Sequence, residues 1–288
     1  KNLPCVPCRV MRPGKGSRGG RGAKADGEDP RILTSKISQA QSATALLAVV
    51  ARKVDGPSFN YLHVTATCST LAKFKKSRKL SRKDLKHPVL SRLEARLCAM
   101  VRRDELPPRE VANVLWSTAV LSDGGNKTLQ KALPGLVQVL LRKTRGMIPQ
   151  HLSSSLWAAA TLKDAAPEVL KAVPAIADRI PDEAENMNPQ GLSNSLWAAA
   201  TLKDVAPKAL NAAAAIARRM PVEVDKMNPQ ELSNSLWAAA TLKDAVPQVM
   251  RAASAVADRI PNEVDNMTPQ GLSNSLWAMA TLRDAAPD

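Results

Sequence analysis

Apolar residues in the second half of the chain fall at helical spacing, and they do so in a line that repeats. "LSSSLWAAATLKD" begins at residue 152, "LSNSLWAAATLKD" at 192 and 232, and "LSNSLWAMATLRD" at 272, with a looser copy, "VANVLWSTAVLSD", beginning at 111. At about 100° per residue, Leu192, Leu196 and Ala199 share one stripe of a helix, with Ser195 and Leu202 at its edge. No period-two alternation competes with this pattern, so it predicts an all-α chain.

The polar positions between these lines punctuate them. "NPQ" offers Asn188 or Asn228 as a helix cap, with Pro189 or Pro229 at the first helical position. Asn228 followed three residues later by Glu231 has the form of a capping box. The first helix of each unit is expected to run to about Asp204 or its equivalent. A second helix is expected to open near Pro207, continue through "KALNAAAAIARR" and end at Pro221, where a proline breaks the backbone ladder. A polar connection such as "PVEVDKMN" would then lead to the next unit.

Trp157, Trp197, Trp237 and Trp277 are spaced at 40 residues, and Trp116 precedes Trp157 by 41. A fixed period in this range predicts stacked helix pairs, each completing its core against its neighbours: an α-solenoid. Further upstream, "SFNYLHVTATCSTLAKF" aligns with the repeated line, with Val64 at the first Leu, Cys68 at the second and Phe74 at the last, and reads as a diverged unit without tryptophan. Three regions follow: a Gly/Arg-rich disordered leader over residues 1–30, a basic helical region over 31–107, and a Trp-containing array over 108–288. The start at Lys1 and the stop inside a repeat are read as the limits of a fragment.

Composition fits many short helices, with 44% hydrophobic residues, 3% aromatics and 21 prolines. The longest apolar run, "ALLAVVA" at 45–51, is far short of the ~18 residues that a membrane span needs. Charge divides the chain more sharply. Residues 1–150 hold 29 Lys and Arg against 10 Asp and Glu, whereas the remainder holds 12 against 16. The front half therefore suits a polyanion, nucleic acid before membrane, with a targeting segment or solvated tail as the alternative.

Candidate contacts come from both halves. In the basic part, Arg18 and Arg21 lie in a short RGG-like element, and Lys73, Lys75, Lys76, Arg78, Lys79, Arg82 and Lys83 form a stripe in "KFKKSRKLSRKDLKH" that suits either phosphate contact or a solvated linker. In the array, Gln190, Asn194, Trp197 and Thr201 share a second face of the first helix, as do Gln230, Asn234, Trp237 and Thr241. Gln270, Asn274 and Trp277 repeat the pattern, and Asn113, Trp116 and Trp157 belong to the earlier units. An aromatic ring beside amide and hydroxyl groups suits an unpaired base, and a Trp recurring at one position equally suits packing between units. Lys163, Lys203, Lys243 and Arg283 fall in the last turn, where a cation meets the helix dipole.

Chemistry is not signalled. No Walker-type loop is present, and His63, His87 and His151 are scattered, so neither an enzyme nor a cofactor is expected. Cys5 and Cys8 form one "CVPC" while Cys68 and Cys98 stand apart, short of the four ligands of a structural zinc site. So few cysteines favour a reducing compartment.

The repeated "SLWAAATL" on paired helices resembles the organellar RNA-binding helical repeats, namely the octatricopeptide and heptatricopeptide repeat proteins and the FAST-kinase-like proteins with RAP domains. The likeness is strongest from residue 108 onward, and the period of 40 exceeds the 37 or 38 encoded in those family names. The resemblance implies binding of single-stranded RNA in a mitochondrion or chloroplast, governing its stability, processing or translation. It marks Asn113, Asn194, Asn234 and Asn274 as base-facing. A protein-binding scaffold of the HEAT or armadillo kind, in the cytoplasm or nucleus, is the other reading that the near-neutral repeats allow. Because the facing positions hardly vary between units, one base type or none is preferred.

Overall fold

The computed structural model describes residues 29–283, all of whose regular structure is helical. The α-helices are α1 (Pro30–Ser38), α2 (Ala43–Lys53), α3 (Tyr61–Lys76), α4 (Val89–Arg102), α5 (Pro108–Ser122), α6 (Leu133–Lys143) and α7 (Pro149–Leu162) in the first part. They continue as α8 (Val173–Ala177), α9 (Ile180–Glu183), α10 (Pro189–Leu202), α11 (Leu210–Glu223), α12 (Pro229–Leu242), α13 (Val249–Arg259) and α14 (Pro269–Leu282). Residues 1–28 of the leader, with Arg18, Arg21, Cys5 and Cys8, lie outside the described residues, and its last two, Asp29 and Pro30, cap and open α1.

The helices pack in series. α1, α3, α5, α7, α10, α12 and α14 each lie against the next, and the helices between them form a second layer in which α4 meets α6 and α11 meets α13. α3 packs on α5 as α5 packs on α7, with Val64 and Cys68 fully in the core. Close approach in the second layer depends on Gly135, where a Cβ would come within 2.6 Å of the Val101 side chain. Among the described residues no helix is long and apolar enough to cross a membrane.

Helix starts follow the sequence closely. The Asn188 side chain accepts from the Gly191 N–H at 2.8 Å, the Thr268 hydroxyl serves Gly271 in the same way, and Asn228 with Glu231 makes the complete capping box. The second helices differ from expectation. α11 runs through Pro221 instead of ending there. Only the last turn follows this proline, so the lost bond to the Ala217 carbonyl costs little, and an Arg219–Glu223 ion pair at 2.6 Å spans the site. In the preceding unit the same region is a 3-10 turn over 167–172 followed by the short α8 and α9, with Pro174 and Pro181 near their starts. The connection "PVEVDKMN" is also partly ordered, as a 3-10 turn over 224–226.

Two sets of polar contacts join neighbouring units, although Lys163 pairs with Asp164 instead of the following helix. Lys203 donates to the Thr241 carbonyl at 3.3 Å and Lys243 to the Thr281 carbonyl at 2.8 Å. The cation thus meets the C-terminal end of the following helix, not only its own as the sequence suggested. On the other layer Arg179 donates to the Thr144 and Arg145 carbonyls, while Arg219 and Arg259 lie 3.6 and 3.4 Å from Glu185 and Asp225.

Candidate nucleic-acid interface

Because α10, α12 and α14 start at one register, their side chains repeat at one register too. Gln230, Asn234, Trp237 and Thr241 are separated by four, three and four residues, so they climb one face of α12, and the corresponding residues climb α10 and α14. A groove of about 850 Å³ opens across these faces. Its walls include Trp197 and Thr201 of α10, Gln230, Ser233, Asn234 and Trp237 of α12, and Gln270, Ser273 and Asn274 of α14. Arg78, from the turn after α3, lines the same groove.

The amides in this groove are poorly matched by the protein. Asn234 in this groove and Asn194, which does not line it, are only 6% and 7% exposed, and neither side chain makes a hydrogen bond among the described residues. Asn274 accepts from Gln270 at 2.8 Å, and Asn113 is half-buried on α5. The Thr201 and Thr241 hydroxyls each donate to the carbonyl of the Trp four residues earlier, at 2.9 Å. Their protons are therefore committed to the helix, and only oxygen lone pairs face outward.

The tryptophans form a graded column. Trp157 is 1% exposed and Trp116 6%, Trp197 and Trp237 are half-buried, and Trp277, on the last described helix, is 48% exposed. Trp157 pairs with Trp197 and Trp237 with Trp277, each at 6.4 Å between centroids with tilted rings. Trp116 and Trp157 are packing residues here and offer no open face for a base, a correction to the expectation that placed them on the reading surface. Only Trp197 and Trp237 reach the groove.

The basic stripe is split by the end of α3. Lys75 donates to the Asp123 carbonyl at 3.2 Å, and the Lys76 ammonium sits 6.0 Å over the Trp116 ring. Both serve packing at least in part. Lys73, Arg78, Lys79, Arg82 and Lys83 are exposed and make no ion pair among the described residues. Asp84 sits at the end of the stripe, where hydrogen bonds from the Ser81 hydroxyl and amide hold its carboxyl below the usual range.

His63 has a structural role that the sequence did not suggest. His63 is fully buried, its Nδ1 accepts from the Asn60 N–H at 3.0 Å to complete a capping box, and its Nε2 lies 3.0 Å from the Pro30 carbonyl. Nε2 therefore carries the proton. Among the described residues no group of three His, Cys, Asp or Glu is arranged to hold a metal. Ser233, Ser273 and Arg78 complete the groove without having stood out as a set, since only folding brings them together. Neither a scan against protein-family models nor a search of curated proteins finds a match to the chain.

Proposed function

We propose that the serial helix pairs form an α-solenoid with a period near 40 residues, whose inner face binds single-stranded RNA without acting on it chemically. The observation that carries this reading is the groove itself. The unpartnered Asn234 amide, the half-buried Trp197 and Trp237 rings and the Arg78 guanidinium line one open space. These groups supply hydrogen bonds to base edges, stacking faces and a phosphate contact, the three needs of an unpaired strand. The charge of the front half adds affinity that does not depend on sequence. An organellar setting, mitochondrion or chloroplast, with a role in RNA stability, processing or translation, rests on the resemblance of "SLWAAATL" alone.

The test is binding of the full chain to labelled single-stranded homopolymer RNAs across a salt series. Base-dependent binding is expected, and Asn194→Ala with Asn234→Ala should weaken it at least tenfold without lowering Tm. Binding with a steep salt slope, no base preference and no response to the two substitutions would return the groove to a merely structural role. A protein-binding scaffold is the second reading, favoured by the buried Trp116 and Trp157 and by the acidic balance of the repeats after residue 150. It predicts that the chain retains no RNA at all at moderate salt.

A further inference from the structure

Arg78 stands in a position where the backbone prefers glycine. Helix α3 ends in a Schellman turn: the Arg78 N–H donates to the Lys75 carbonyl at 3.1 Å and the Lys79 N–H to the Phe74 carbonyl at 2.8 Å. That turn puts Arg78 at φ +57°, in the left-handed region. Its guanidinium makes no hydrogen bond or ion pair among the described residues, yet its side chain lines the groove whose other wall is built from α12 and α14. Across that space is Asn234, nine-tenths buried with its amide unpartnered. Two polar groups more than 150 residues apart in sequence, both lacking partners, therefore face one cavity.

The geometry points to a two-walled nucleotide site: Arg78 holds a phosphate of the bound strand from one side while Asn234, Trp237 and Asn274 hold its base from the other. The inference rests on the RNA-binding reading and sharpens it, since the strand is gripped between walls and does not lie on an open face. A volume of about 850 Å³ is within the ~300–1,000 Å³ typical of sites that enclose a small ligand. Arginine suits the phosphate role because its planar fork meets two oxygens at once, as a lysine cannot. The other exposed cations of the stripe, such as Arg82, do not line this cavity, so their attraction for a strand is general while that of Arg78 is local.

The turn geometry supplies a clean variant. Arg78→Gly removes the guanidinium and suits the left-handed turn better than arginine does, so Tm should hold or rise slightly. Arg82→Gln removes one exposed charge from the same stripe and serves as the control. Each protein, as the full chain, is titrated with fluorescein-labelled homopolymer RNAs four and twenty nucleotides long. Arg78→Gly should weaken the tetranucleotide about five- to tenfold and reduce the salt slope by ~0.7, the share of one single-strand phosphate contact. Arg82→Gln should affect only the longer strand, and Asn234→Ala should weaken the tetranucleotide as well. If the parent binds tetranucleotide and Arg78→Gly binds it equally well, or no worse than Arg82→Gln does, the two-walled site is overturned and the wider RNA reading stands. If the parent binds neither length, both fall together.

Discussion

Replacing Trp157 and Trp277 by alanine, one at a time, separates packing from display. The two residues occupy the same place in their helices and differ in what covers them: 1% of Trp157 is exposed and 48% of Trp277. A buried tryptophan removes ~150–250 Å² from water, which at ~25 cal/mol per Å² is worth about 4–6 kcal/mol as an upper bound. Measured Trp-to-Ala costs in cores are ~3–5 kcal/mol. Scaling by exposure, Trp277→Ala should cost about half as much, and less again because a half-open site leaves no sealed cavity. Each ring has one partner ring at 6.4 Å, so the pairing contribution cancels between the variants. Urea unfolding followed by far-UV circular dichroism gives both costs from the shift in midpoint and the slope. Serial repeats can unfold in parts, so the early transition is compared as well as the main one. A Trp277→Ala cost equal to or above that of Trp157→Ala would refute the assignment of the buried rings to packing.

Three other expectations follow from burial and hydrogen bonding. The Ser195 and Ser235 hydroxyls are fully buried without partners, so Ser→Ala at either should leave stability unchanged or slightly raised, whereas Ser193→Ala removes a 3.0 Å bond to the Glu231 carbonyl and should cost ~0.5–1.5 kcal/mol by the same unfolding assay. Burial, then the Arg109 charge, pushes the His151 imidazole down to about 4. Its contribution is therefore complete above the unfolded value of ~6.5 and lost as pH falls towards 4, so His151→Gln should show a smaller drop in Tm than the parent across that window. Burial pushes the Cys68 thiol up to about 12, and that of half-buried Cys98 is also raised. Iodoacetamide at pH ~8 followed by peptide mapping should modify Cys98 ahead of Cys68 in the native protein, with Cys68 reacting only in denaturant.

Local signals in the sequence carried a long way. Asn188 and Asn228 cap where their spacing from the apolar stripe puts them, and Val64 and Cys68 enter the core as members of a line they barely resemble. These are effects of one or two turns of helix, which neighbouring residues settle among themselves. Burial of the tryptophans was not legible in the same way. A helical wheel gives each Trp one angle, yet exposure runs from 1% to 48%, because what covers a ring belongs to adjacent helices. The fate of Pro221 likewise depended on how much helix remained beyond it, and only the fold shows that a single turn does. Arg78 is the extreme case. Its approach to Asn234 sums small rotations over many packed helices, and no periodicity records that sum.

The lysine ladder carries a consequence for how such a chain changes over evolutionary time. Lys203 reaches Thr241 and Lys243 reaches Thr281 with one spacing and one pair of atoms, whereas Lys163 turns to Asp164, so the joint repeats across α10, α12 and α14. Within those units, a 40-residue block duplicated in register reproduces the joint on both sides. A change of any other length between these helices would part the cation from its carbonyl. Over this stretch, length can therefore change in steps of one unit with the joint preserved.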